Sequence, residues 1–342
     1  MRASCPLFSL LYGFAIATAI ACQGGNFLQA SEPPPKIVER HYIHKYGLSM
    51  PRTEWLERGG HGQVVTCYSN GVKVTRQYQD GLLDGYCAIS HPHIEEAAKR
   101  EFYRAGKLIE ESFYQPSGAL KEQYRWPEEG IEELSSWYET GEPKSEELWI
   151  QGKLAMGRYF DEKGHEEASV EDGEGRRIRR DPYGQLQAKD SFSDGQLVAF
   201  TSYHPNGAPK EAISLLQGKR HGLRALYLPD GQPLLEEEWL EGAQHGMTKE
   251  YRNGEVAALI PYQKGTKEGV EERYVAGELV EKRSWKQGKR HGPTQKKAGE
   301  ALLTEWYFQD RLVTKEQFDG MGYYTPHQRT SHPSPAAISK DS

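Results

Sequence analysis

Histidine titrates near neutral pH and its ring nitrogens bind metals, so it is the residue type in this chain best suited to chemistry. His221 and His291 sit in two identical copies of Gly-Lys-Arg-His-Gly, at Gly218–Gly222 and Gly288–Gly292, and His245 closes a related pentad, Gly242–Gly246. His91-Pro92-His93, followed by Glu95 and Glu96, gathers further metal-ligand types but lacks the one-turn-apart histidine pair of a zincin helix. Asp172–Gly175 runs into the basic stretch Arg176–Arg180, a composition that suits either an anion cradle or a solvated surface insertion. The acidic run Glu236–Glu238 is expected on a strand surface, since paired carboxylates for acid–base work need a pocket that nothing here marks. The chain has neither a Gly-x-Ser-x-Gly nucleophile elbow nor a phosphate-binding P-loop.

Whether these groups converge depends on the elements that carry them, and those follow a period. Gly222, Gly246, Gly269 and Gly292 recur every 23 or 24 residues, and Gly218, Gly242, Gly265 and Gly288 keep step with them. Trp239, Tyr262 and Trp285 stand three residues before a pentad, and Tyr227, Tyr251 and Tyr274 five residues after one. A further glycine, at Gly231, Gly254, Gly277 or Gly299, falls midway. Each unit therefore reads as two strands and two turns, for example Leu223–Leu228, the turn Pro229-Asp230-Gly231, and Pro233–Leu240. Glycine at every corner argues against helix, at about 1 kcal/mol for each. The pattern continues more loosely upstream, with irregular insertions at His91–Arg100, where Pro92 is expected to lead a short helix, and at Glu171–Arg180.

In such a meander, equivalent turns lie two strands apart, about 9–10 Å. Three histidines spread along an edge at that spacing cannot share one metal, so no metal site and no catalytic residue is assigned. Each ring is expected to act locally, bonding backbone across its corner and packing on an aromatic. The six aromatics Tyr227, Trp239, Tyr251, Tyr262, Tyr274 and Trp285 are expected to stack as ladders, forming both the core and an apolar strip for a partner. Lys282, Arg283, Lys286, Lys289, Arg290, Lys296 and Lys297 fall together with no acidic residue among them. This basic edge suits anionic lipid headgroups or an acidic partner through Lys286, Lys289 and Arg290, or else a solvated edge that resists strand pairing.

The chain has 342 residues and a formal net charge of −6, which disfavours nucleic acid as a partner. Its mean hydropathy is −0.78. It has 36 glycines where average composition gives about 24. Long Val/Ile/Leu runs for a buried parallel sheet are missing after the first 30 residues. Residues 1–21 have the form of a signal peptide, with Arg2 before the apolar stretch Leu7–Ala21. Ala19 and Ala21 fit a secretory cleavage site, and Ala19–Cys22 resembles a bacterial lipobox with Cys22 as the lipid attachment, although Ala19 stands where leucine is usual. On either reading the mature protein is exported, as a membrane-anchored lipoprotein or a secreted or periplasmic protein. Residues 22–40 form a Pro-rich linker, 41–190 irregular hairpin repeats, 191–320 regular repeats and 321–342 a disordered tail. Cys67 and Cys87 are the candidate disulfide of an oxidising compartment. A plain meander opposes that pairing, because it sets them about 9–10 Å apart, beyond the limit of about 7 Å for a bridge.

The pentad with histidine, the tyrosine five residues on, the mid-unit glycine and the aromatic before the next pentad together resemble the MORN-repeat family. The match is nearest to its bacterial variant, some of whose members are counted as antitoxin or immunity components. The resemblance covers Gly195–Leu312 well and Arg58–Gly164 loosely. Lys297 replaces the expected tyrosine and Glu268 the expected histidine, departures that suit a scaffold better than an invariant site. The resemblance implies an all-β fold, an elongated single-layer antiparallel sheet of successive hairpins of about 23 residues, and binding of proteins or membranes rather than catalysis. MORN repeats also occur attached to lipid kinases, but this chain has no kinase glycine loop or catalytic loop. The expectation is a non-enzymatic envelope scaffold for a protein partner, with no cofactor and no small-molecule substrate. An immunity protein and an anionic-membrane binder are the alternatives.

Overall fold

The computed structural model describes residues 35–321; the segment read as a signal peptide, Cys22 and the residues beyond Met321 lie outside them. The chain is all-β, 66% strand and 5% helix, and forms one long open antiparallel sheet of 28 strands built from successive hairpins. Leu223–Leu226 pairs with Leu235–Glu238, and Gly269–Arg273 with Glu281–Trp285, each strand finding its sequence neighbour.

Two turn types occur, and the mid-unit turns at Asn253–Gly254 and Ala276–Gly277 share that of the pentads. At the start of each pentad, two successive residues take positive φ: Gln217 and Gly218 (50° and 73°), Glu241 and Gly242 (50° and 87°), Lys264 and Gly265 (49° and 82°), Gln287 and Gly288 (51° and 76°). Two such residues make the type I′ turn, whose twist matches that of the flanking strands. At the other edge, Gly231 N–H donates to Leu228 (2.9 Å) and Asp230 Oδ1 accepts from Gln232 N–H (3.0 Å). The register slips there between Leu226 and Tyr227, a bulge that accommodates the longer loop. The second pentad glycine serves the strand rather than the turn. Gly246 has φ 91°, and a Cβ on it would strike the Glu238 carboxylate.

The stretches expected to be irregular are regular. Ala97–Arg104 is a full strand, so the helix led by Pro92 does not form; the chain turns instead at His93 (φ 60°), whose N–H donates to Gly71 (3.2 Å). Glu174–Arg180 is likewise a strand, entered through the Asp172–Gly173 type I′ turn. Two short helices complete the described chain. α1 (Arg52–Glu57) packs Trp55 on Tyr42 and Tyr78 at one end of the sheet. α2 (Lys315–Met321) packs Phe318 on His291, Trp306 and Phe308 at the other.

The apolar core lies where three hairpin turns converge. Gly173 N–H donates to Ala155 (2.9 Å), Gly195 N–H to Gly173 (3.0 Å) and Leu154 N–H to Gly195 (3.0 Å), closing a triangle. This closure coils the sheet around Leu154, Tyr159, Val170 and Phe192, which form a buried cluster packed by Trp149 and Ile178.

The expected disulfide is not formed: Cys67 and Cys87 are both free. Val65, Thr75 and Ala88 share one row of the ladder, so the thiols are two strands apart and also about three residues out of step along the strands. Cys87 is buried, and burial pushes its thiol above the ordinary range.

Candidate functional site

The pentads join consecutive repeats. Gly242 N–H donates to the Arg220 carbonyl (2.9 Å), Gly265 to Gln244 (2.8 Å) and Gly288 to Lys267 (2.9 Å), so the first glycine of each pentad bonds to the third residue of the one before. At some junctions the fourth residue adds a side-chain acceptor; the Nδ1 atoms of His221 and His245, expected to bond backbone across their corners, are instead buried with no partner. His61 Nδ1 takes the Asp80 N–H (3.2 Å), Asp84 that of Ala105 (2.8 Å) and Glu268 that of Gln287 (2.6 Å); in the shorter Gly173–Gly175 segment Glu174 takes that of Asp194 (2.8 Å). The histidines are spread along this edge as the period requires. His291 packs on Phe308 and Phe318 (ring centroids 5.0 and 5.2 Å apart). Burial, then the Lys286 charge, lowers its proton affinity, with Glu268 opposing.

The six sequence-predicted aromatics do not form one strip. The pairings Gly222–Trp239 and Arg224–Glu237 place Trp239 on the face that carries Glu237, and Tyr262 and Trp285 follow on that first face. Tyr274 donates its hydroxyl to Glu272 (2.6 Å) on the opposite face, where Glu236 and Lys249 also pair across strands and Tyr251 lies beside them. All six are half-buried. On the first face cations separate the rings. Arg220 covers Trp239 (4.8 Å), Lys267 covers Trp285 (4.6 Å) and Arg290 covers Tyr307 (3.9 Å). The third pentad residue therefore caps the aromatic of the following strand, a cation–π contact.

Carboxylates complete this face. Glu237, expected on the surface, is buried and accepts from Arg224 (2.7 Å), Gln244 (2.7 Å) and Trp239 Nε1 (3.1 Å). Glu271, 0% exposed, accepts from Lys267 (2.8 Å) and Arg273 (2.7 Å). Burial alone would raise its pKa, but those two hydrogen bonds hold it below the usual carboxylate range. Asp190 is likewise buried between Arg177 (2.8 Å) and Arg179 (3.1 Å), so part of the Arg176–Arg180 stretch neutralises an internal carboxylate. Thr248, Ala258 and Ile260 fill the floor between these groups. The first face thus works as a core made of ion pairs and capped rings.

The fold also interleaves the basic run with acids. Lys282 pairs with Glu272, Arg283 with Glu281, Lys297 with Glu278, and Arg290 N–H bonds Asp310 (2.8 Å). Lys286 and Lys289 are exposed and face each other across their hairpin.

The second face presents what the sequence reading passed over. The residue after the second pentad glycine projects there in each repeat: Leu223 (51% exposed), Met247, Val270 (47% exposed) and Pro293. Pro261 and Trp306 stand opposite Met247 and Pro293. The signal was an apolar residue following every Gly-x-x-x-Gly, masked by the histidine and glycines beside it.

No protein-family model and no curated protein matches the chain. Among solved structures it is similar to a crystal structure of TarM at TM-score 0.18 and 10% identity, over 36% of this chain and 20% of that one. A second TarM structure, from S. aureus, in complex with Fondaparinux, alpha-GlcNAc-glycerol and UDP, gives TM-score 0.18 and 9% identity, over 36% and 21%. BamB from Moraxella catarrhalis gives TM-score 0.15 and 10% identity, over 72% and 82%. The chain spans about a fifth of the length of TarM. Likenesses of this size carry no functional argument.

Proposed function

We propose that this protein is a non-catalytic scaffold that binds a protein partner along the second face of its regular repeats. The observation that supports it is the strip of Leu223, Met247, Val270 and Pro293, one side chain per repeat, on a face not occupied by the buried ion-pair rows. Apolar side chains in register over several repeats give a partner a continuous contact line. The resemblance to MORN-like repeats and the export signal in the sequence point the same way, toward an interaction role at the cell envelope. A photo-crosslinking residue at position 270 should capture one discrete partner in intact cells. Leu223→Asp, two hairpins away, should cut that adduct at least tenfold while leaving the circular dichroism spectrum unchanged. An adduct unaffected by Leu223→Asp would place binding elsewhere.

A further inference from the structure

We infer that a cavity on the first face of the upstream repeats, beside Lys144, binds a small oxyanion, a carboxylate or a phosphate. Trp149 donates to Glu147 as Trp239 does to Glu237, which marks this as the first face. The strand Pro143–Ile150 slips register between the pairs Ser136–Ser145 and Trp137–Pro143, so Lys144 is the extra residue of a bulge, and it lines the cavity together with Ser145. The same slip places Lys121 and Lys210 at the corresponding bulges of other repeats, and both are exposed. Lys144 is half-buried, because the sheet coils here. The strand Glu174–Arg180 therefore lines one cavity with the row Glu122, Ser136, Ser145 and Tyr159. That cavity measures about 230 Å³, less than the roughly 300–1,000 Å³ of pockets for drug-sized ligands, so its occupant is small.

The lining has donors to spare. Glu147 already accepts from Trp149 (2.8 Å) and Tyr159 (3.0 Å). Arg177 and Arg179 share Asp190 (2.8 and 2.9 Å), and Arg180 holds Glu167 through two hydrogen bonds (2.8 and 2.6 Å). Ser136 Oγ and Ser145 Oγ lie 2.7 Å apart; one donates to the other, which leaves one hydroxyl proton free. Lys144 has neither an ion pair nor a side-chain hydrogen bond among the described residues. Burial lowers its proton affinity; Glu122 opposes that, Lys121 adds to it, Asp181 opposes again, and the balance stays low. The site is short of negative charge. An oxyanion between Lys144 and the free serine hydroxyl supplies the counter-charge and the acceptor together, through charge-assisted hydrogen bonds. This site is on the face opposite the apolar strip of the regular repeats, so neither reading rests on the other.

Trace reductive methylation of the full chain, read lysine by lysine by mass spectrometry at constant ionic strength, tests the inference. Only the neutral amine reacts, and a bound anion keeps Lys144 protonated. Millimolar inorganic phosphate or succinate, in place of chloride, should slow methylation of Lys144 at least threefold and leave Lys121 and Lys210 unchanged. The more effective of the two identifies the oxyanion. Ser136→Ala with Ser145→Ala, which keeps Lys144 in place, should remove most of the slowing while the circular dichroism spectrum is unchanged. Slowing by neither anion, equal slowing at all three lysines, or slowing that persists in the alanine variant would overturn it.

Discussion

Replacing Leu154 by alanine is expected to destabilise the protein by about 3 kcal/mol, within the range for a buried leucine that leaves a cavity. Leu154 is fully buried in the apolar cluster with Tyr159, Val170 and Phe192. The site cannot collapse around the gap, because its backbone is pinned through Gly195 in the triangle of turns. Leu234, 42% exposed, supplies the control: its replacement by alanine should change stability by no more than about 0.5 kcal/mol. Urea unfolding followed by tryptophan fluorescence measures both. Equal effects would mean that the converging turns enclose no cooperative core.

Glu271→Ala is expected to cost about 3 kcal/mol by a different route, since it strands charges instead of opening a cavity. Glu271 bonds Lys267 and Arg273, and Arg283 lies 3.6 Å away; only Arg283 keeps a second carboxylate, Glu281. The same change loosens the cap on Trp285, because Lys267 bridges Glu271 and that ring. The pH dependence has a definite sign. Glu271 is held below the usual carboxylate range, so its contribution is complete above about pH 4.3, the unfolded value, and is lost as pH falls through the lower folded value. Unfolding curves of wild type and Glu271→Ala should therefore separate at pH 7 and converge in strong acid. A gap that stayed constant with pH would assign the loss to packing.

These two sites show what the sequence disclosed and what it withheld. The hairpin rhythm was legible because glycine repeats at every turn from Gly218 to Gly299, and composition alone excluded a thick parallel sheet. The insertion at Glu171–Arg180 looked irregular because Gly173 and Gly175 stand two residues apart instead of four, which hid an ordinary type I′ turn. The strand Ala97–Arg104 was hidden by His91-Pro92-His93, whose proline suggested a helix start. The aromatics were recognised, but not the cations between them, although the third pentad residue is Arg220, Lys267 or Arg290 in three of four units. Nor does a run such as Glu236–Glu238 reveal that alternation along a strand buries its middle member alone. Helix α1 is six residues long, too short to show a hydrophobic period. The disulfide was suggested by compartment and number and opposed by the meander spacing; the register of Val65, Thr75 and Ala88 adds a stagger along the strands that sets the thiols further apart.

The repeated Gly-Lys-Arg-His-Gly is therefore a structural junction: its first glycine turns the chain and, at Gly288, bonds to the preceding repeat, and its arginine caps the next aromatic. Exchange of the Gly242, Gly265 and Gly288 amides tests this most directly, because each sits in a hairpin turn yet donates to the preceding repeat at 2.8–2.9 Å. The account predicts protection of at least a hundredfold over the unfolded rate at all three. Exchange at the unfolded rate, as in a solvated turn, would contradict it.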